Sequence, residues 1–157
     1  MTVPQPGEYL RDGPDFTGEA LHAKLAATWA DRPGLLGWIQ SVDHKSIGRR
    51  YLVTALAFLA LGGVLALLMR LQLAGAGREM LGPDRYNQIF TMHGTTMMFL
   101  FAVPVVLGFG TYFVPLMVGA RAIAFPRLVA YGYWMFLFGG LFLFVNFALN
   151  TGPDRGW

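Results

Sequence analysis

The sequence contains no cysteine among its 157 residues, and only 13% of the residues are charged. Without thiolates, these residues can form no disulfide, no cysteine-held iron–sulfur cluster and no thiolate zinc site. A soluble domain carries about a quarter charged residues, so the low charge content beside 55% hydrophobic residues indicates a membrane protein. The 12 basic residues are spread over several segments and form no single stripe, which does not favour a nucleic-acid partner.

The hydrophobic residues fall into three long uncharged stretches. Residues 51–69 can cross a hydrocarbon layer about 30 Å thick as one helix. Residues 86–120 are too many for one upright span and too few for two, so they predict a single helix that is tilted, or kinked at Pro104 and the glycines after it. Residues 128–150 predict a third crossing. We therefore predict an all-α polytopic membrane bundle with spans at about 51–73, 86–117 and 128–150.

The segment before the first span is expected to be an N-terminal tail, residues 1–37. Its first 15 residues are polar and rich in proline and glycine, which favours a loosely held chain. Residues 18–31 contain helix formers with apolar side chains on one side and predict a short surface helix that Pro33 stops.

Short loops that are basic without being acidic indicate the cytoplasmic side of a membrane protein. Such residues precede the first span and separate the second from the third, whereas the other loop and the C-terminal end mix both signs. The residues concerned are Lys45, Arg49, Arg50, Arg121 and Arg127. We expect a multi-pass protein of the bacterial plasma membrane with its N-terminus in the cytoplasm.

His93 is the only histidine inside a predicted span, and an ionisable group within a bilayer suggests function by default. A neutral imidazole in an apolar bundle is a good axial ligand for haem iron. Arg70, predicted at the same membrane side, could pair with a haem carboxylate or donate to a ring substituent. Gly94 beside the histidine would let a flat macrocycle approach. The alternatives are that His93 forms a hydrogen bond to a neighbouring helix and that the Arg70 side chain only extends to the membrane surface to keep its charge in water.

A six-coordinate haem needs a second axial ligand on its other face. His22 and His44 are predicted at the opposite membrane side from His93, whereas Met69 lies at about the right depth and remains open. The second ligand is expected outside these residues. Three histidines divided between two sides cannot build a copper or non-haem iron centre, so no catalytic dioxygen centre is expected within the chain.

Four motifs resemble those of subunit I of the haem-copper terminal oxidases, the cytochrome c oxidase subunit I family. They cover about residues 38–157. They are SVDHKSIG before the first span, LLMRLQL at its end, YNQIFTMHGTTMMFLFAVPVVLGFGTYFVPLMVGA for the second span, and AFPR in the loop after it.

The resemblance implies that His93 is one axial ligand of a low-spin haem, of the A type, and that Arg70 contacts a peripheral group of the same haem. It implies an aerobic respiratory oxidase that passes electrons from cytochrome c to a dioxygen-reducing haem-copper centre and translocates protons. The second axial histidine, the high-spin haem and copper would come from later helices of a subunit with about twelve spans. Residues 1–157 are then an N-terminal portion, inactive alone, whose partners are subunits of the II and III types and the lipid bilayer.

The chain departs from the family's usual pattern at the mouth of a proton pathway. Ala122 stands where an aspartate is usual, and Thr111 and Val129 stand where two asparagines are usual. A methyl group cannot carry a proton and valine cannot order water, so this route is not expected to operate.

Two further departures concern a cation and the electron donor. Gln72 stands where many relatives have a glutamate that binds calcium or sodium, and an amide is the weaker ligand for a hard cation. Leu61 and Leu65 stand where quinol-oxidising relatives often have an arginine and an aspartate, which favours cytochrome c over quinol. The competing hypotheses are a nitric oxide reductase of the same superfamily and a three-span protein that binds no cofactor.

Overall fold

The computed structural model describes residues 18–29, 34–75, 77 and 80–156, and every regular element in those ranges is helical. The chain divides into two compact units, Met1–Gln40 and Ser41–Trp157. The first unit contains α1, Gly18–Trp29, and α2, Gly34–Gln40. α1 falls within the stretch predicted as a surface helix, α2 was not predicted, and the expected loose segment of residues 1–15 lies outside the described residues.

The second unit is a bundle of three helices that are long and apolar enough to cross a membrane. This confirms the predicted all-α membrane fold. The first span is a single helix, the second contains a short stretch of π-helix, and the third is again a single helix. The elements are α3, His44–Gln72; α4, Pro83–Thr95; the π segment, Thr96–Ala102; α5, Val103–Met117; and α6, Pro126–Ala148.

α3 begins at His44, seven residues before the start predicted at Tyr51. Hydropathy marks where lipid begins, whereas the helix continues into the polar layer. At 1.5 Å per residue, 29 residues extend about 43 Å, against a hydrocarbon layer of about 30 Å. α4 and α6 begin on Pro83 and Pro126, a residue type whose missing N–H costs nothing in the first turn.

Two glycines allow α3 and α5 to cross closely. A Cβ on Gly48 would lie 2.8 Å from Cβ of Tyr112 and 2.9 Å from the carbonyl oxygen of Gly108. A Cβ on Gly108 would lie 3.0 Å from Cγ of Leu52. Small residues commonly let membrane helices approach in this way. Gly108 therefore serves a helix crossing, and α5 continues through it as α-helix from Val103 to Met117.

Two buried clusters join the spans. Towards the start of α3, the hydroxyl groups of Thr54 and Tyr133 are 3.1 Å apart, and the rings of Tyr51 and Tyr133 meet edge to face at 5.2 Å. Towards its end, which we call the Gln72 end of the bundle, Leu65, Ile89 and Met92 form the second cluster. The second cluster lies beside the candidate site.

Candidate haem-ligand site

His93 lies two residues before the end of α4, half-buried, and its ring contacts α3. Its Nδ1 is 2.9 Å from the main-chain carbonyl oxygen of Gly62. A carbonyl oxygen can only accept, so Nδ1 carries the hydrogen and donates it. Nε2 then keeps its lone pair. Within the described part of the chain, Nε2 makes no hydrogen bond.

This is the arrangement expected of a metal-binding imidazole. A histidine that binds a metal almost always donates its other ring N–H to a carboxylate, water or backbone carbonyl, which fixes the tautomer and raises the basicity of the ligand nitrogen. The hydrogen bond that the sequence offered as an alternative to haem binding is thus present. It leaves Nε2 available, so the residues fit an axial ligand for iron.

Gly62 allows α3 to pack closely against the second span. A Cβ there would lie 2.9 Å from Sδ of Met97 and 3.4 Å from Cγ2 of Thr96. The next residue, Gly63, has no atom within 4 Å of its hypothetical Cβ among the described residues. Of these two neighbouring glycines, only Gly62 lies at the helix contact.

The π segment begins three residues after His93, at Thr96, and ends just before α5. Its wider turn is visible in the bond from the Val103 N–H to the carbonyl oxygen of Met98, five residues earlier. Pro104 follows, and its ring would clash with a carbonyl four residues back in an undisturbed α-helix. Single-turn π insertions are frequent at functional sites. The π segment thus lies between His93 and Pro104, the residue at which a kink was predicted.

Met69 lies on α3 and packs against the cluster of Leu65, Ile89 and Met92. Nδ1 of His93 faces the same helix, α3. The two nitrogens of an imidazole point in nearly opposite directions, so Nε2 faces away from the helix that carries Met69. This favours a second axial ligand from outside these residues, which stays a prediction.

Arg70 lies in the last turn of α3 with its side chain exposed. It is eight residues beyond Gly62, about 12 Å along the helix axis, and it makes no hydrogen bond or ion pair with the described residues. Gly94 is half-buried beside His93. The haem contacts assigned to these two residues stay predictions.

Arg85 links the start of α4 to the end of α6, and sequence reasoning missed it. Its Nη1 donates to Oε1 of Gln88 at 2.8 Å, to Oδ1 of Asn150 at 2.9 Å and to the carbonyl oxygen of Phe147 at 3.2 Å. The guanidinium carbon also lies 4.4 Å from the centre of the Phe147 ring. A cation suits the carbonyl-rich end of a helix. The only advance signal was an arginine and a glutamine three residues apart on one helix face.

Gln72 holds the loop that joins the first two spans. Its Oε1 accepts hydrogen bonds from the main-chain N–H groups of Met80 at 3.0 Å and Leu81 at 2.9 Å, and its Nε2 donates to the carbonyl oxygen of Leu81 at 3.4 Å. Two N–H donors converge on the oxygen that would have to face a cation. This hydrogen bonding disfavours a cation at Gln72, and the weak calcium or sodium site stays a prediction.

The other residues named from the sequence lie elsewhere. His44 is buried at the start of α3, with Nδ1 3.4 Å from a carboxylate oxygen of Asp43. It is 18 residues from Gly62, about 27 Å along the same helix, so it cannot join His93 in one site. Ala122 is exposed in the loop before α6, and His22 is exposed in α1. Among the described residues, no three acids or histidines form a group that could hold a metal.

These observations define a helical membrane protein whose second span presents a tautomer-fixed imidazole suited to bind a metal. The family model described as "Cytochrome C and Quinol oxidase polypeptide I" matches residues 46–157. The chain belongs to this family.

Individual relatives agree with the family match. The chain is 49% identical to cytochrome c oxidase subunit 1 of a Bacillus species over 123 residues, which are 78% of this chain and 20% of that protein. It is 44% identical to the protein of the same name from Alkalihalophilus pseudofirmus over 133 residues, 85% of this chain and 21% of that protein. The Corynebacterium efficiens protein is 38% identical over 147 residues, 92% of this chain and 25% of its own length. The chain thus spans a quarter or less of the length of the curated relatives it matches.

Proposed function

We propose that the chain forms one wall of a low-spin haem site in subunit I of an aerobic terminal oxidase. In this proposal, electrons from cytochrome c pass through that site to a dioxygen-reducing haem-copper centre, coupled to proton translocation. The observation that carries the proposal is the hydrogen bond from Nδ1 of His93 to the Gly62 carbonyl, which leaves Nε2 as a ligand. Support for the oxidase activity comes from the relatives, which are named cytochrome c oxidase subunit 1.

His93 would hold the haem iron, with Gly94 leaving room beside it and Arg70 donating to a peripheral group. A haem there would supply one-electron redox chemistry, and its type is proposed as haem A. The Gly62 carbonyl draws on the Nδ1 hydrogen and so makes Nε2 the stronger donor. The planar guanidinium of Arg70 can form paired hydrogen bonds with a carboxylate.

Everything else in the reaction lies outside the described residues in this proposal. The second axial histidine, the high-spin haem and the copper ligands would come from later helices, and subunits of the II and III types would complete the enzyme. Cytochrome c is preferred over quinol as donor because Leu61 and Leu65 are apolar. Protons would enter by a route that does not use Ala122. We place the N-terminus in the cytoplasm of a bacterial cell.

The test is the substitution His93→Ala in the complete oxidase, with His22→Ala as the matched control because His22 is exposed in α1. Visible and electron paramagnetic resonance spectra would be recorded together with pyridine haemochrome analysis. We expect His93→Ala to abolish the six-coordinate low-spin signal and His22→Ala to retain it. An unaltered six-coordinate signal in the His93 variant would refute the proposal.

A further inference from the structure

We propose that α2, Gly34–Gln40, lies in the boundary between lipid headgroups and acyl chains and anchors the N-terminal segment to the bilayer surface. Its sequence, GLLGWIQ, contains no charged residue. Leu35 is 81% exposed, Leu36 71% and Ile39 43%. Nothing in the proposed haem function uses these side chains, and the inference does not depend on that function.

Water is a poor environment for this helix. Seven residues are too few to form a stable isolated helix, because nucleation costs more than one or two turns return. Most of its surface is also aliphatic, and such side chains gain free energy on leaving water. At about 100° per residue, the exposed apolar residues fall within about 160° on one side of the helix, and the buried Gly37 lies on the other side. They are Leu35, Leu36, Trp38 and Ile39. An apolar face of this width can enter the acyl chains while the rest of the helix stays among the headgroups.

The covalent structure keeps α2 near the headgroup layer. Three residues, Ser41–Asp43, separate it from α3, so the Cα atoms of Gln40 and His44 can lie at most about 14 Å apart even when the chain is fully extended. α3 is about 13 Å longer than the hydrocarbon layer, and its first two turns carry the exposed cations Lys45 and Arg49. Cations at a span's end mark the level of the phosphates. The linker Ser41–Asp43 therefore holds α2 close to the level of the lipid headgroups, where an interfacial helix would lie.

Composition agrees with a position in this boundary. Trp38, with 48% of its surface exposed, belongs to the residue type enriched where membrane meets water. α2 is also far too short to span a bilayer, so it can only lie on or in one surface. We therefore assign its partner as the lipid surface, specifically the acyl chains just below the headgroups.

The test uses spin labels in the complete oxidase, in a background without other reactive cysteines. Leu36→Cys places the label on α2, Leu35→Cys gives a second position in case one variant fails to fold, and Ala122→Cys is the control in an exposed loop. The enzyme would be reconstituted into vesicles of phosphatidylcholine and phosphatidylglycerol. Power saturation would then be measured with oxygen, which concentrates in lipid, and with a nickel chelate, which stays in water.

We expect labels at positions 35 and 36 to collide several-fold more with oxygen than with nickel, and the label at position 122 to show the reverse ratio. A label on α2 as accessible to nickel as the control would place the helix in water and overturn the proposal. Shielding of both α2 labels from both reagents would overturn it as well, because a protein partner would then cover the helix.

Discussion

Replacing Gly140 with alanine should destabilise the bundle, whereas the same change at the neighbouring Gly139 should not. A Cβ on Gly140 would lie 2.6 Å from Cζ of Phe58 and 3.2 Å from Cδ2 of Leu100, and one on Gly139 would have no atom within 4 Å among the described residues. Carbon atoms prefer separations of about 3.5–4.0 Å. The first substitution therefore requires Phe58 or the α6 backbone to move by about 1 Å.

Phe58 has little freedom to move. It is 4% exposed, its ring stacks on that of Phe144 with centroids 5.7 Å apart, and it meets Phe136 edge to face at 5.8 Å. Overpacking of this kind costs about 1–3 kcal/mol, whereas alanine for glycine in an open helix position gains about 0.5–1 kcal/mol. Both substitutions gain that helix term, so it cancels, and the two variants should differ by the overpacking cost of about 1–3 kcal/mol in the free energy of unfolding.

Thermal unfolding of the complete oxidase in detergent would measure this difference, with Gly140→Ala melting several degrees below Gly139→Ala. Replacing the opposing ring with a smaller side chain, by Phe58→Leu in the Gly140→Ala background, should recover part of the lost melting temperature. Equal melting temperatures for the two alanine variants would show that the ring contact does not limit the packing. The absence of any recovery would point to the same conclusion.

Three other predictions concern the Gln72 end and the loop before α6. Arg85→Met should lower the melting temperature by the loss of charged hydrogen bonds, about 1.5–3 kcal/mol, while Arg121→Met in an exposed loop should not; equal melting of the two would contradict the role given to Arg85. Gln72→Leu should speed hydrogen exchange in the loop after α3, because it removes the acceptor of two main-chain N–H groups. A chelator should leave the exchange of the unsubstituted protein unchanged. Slower exchange on adding calcium would refute the view that Gln72 holds the loop without a cation. Ala122→Asp should leave oxidase turnover about unchanged, and a large gain in proton pumping by reconstituted vesicles would count against the reasoning.

The three spans could be predicted because lipid selects for long apolar runs, and those runs are visible in any window of the sequence. Their ends could not be predicted equally well. α3 extends seven residues past its apolar run to His44, because a helix can continue through the headgroup layer where charge is tolerated. α2 was missed because seven residues show no period long enough to distinguish a helix from a loop.

The candidate site likewise contains one feature that the sequence predicts and others that it does not. His93 was identified because an imidazole is conspicuous in a span. Its acceptor was not, because Gly62 is 31 residues away and offers only a main-chain atom. Local pattern carries no information about which carbonyl a neighbouring helix will present. The π segment was also not predicted, since Pro104 indicates a disturbance nearby but not on which side.

The identity of that acceptor decides how the site responds to genetic change. A partner borne by a side chain disappears with one codon, but every amino acid at position 62 supplies the same oxygen. A substitution at position 62 can therefore weaken the hydrogen bond to His93 only through the volume of its side chain, which would force the two helices apart. The size of the residue at position 62, and not its chemistry, therefore decides whether the His93 ring keeps its orientation. Substitutions there are tolerated only as far as the contact between the two spans has room for added volume.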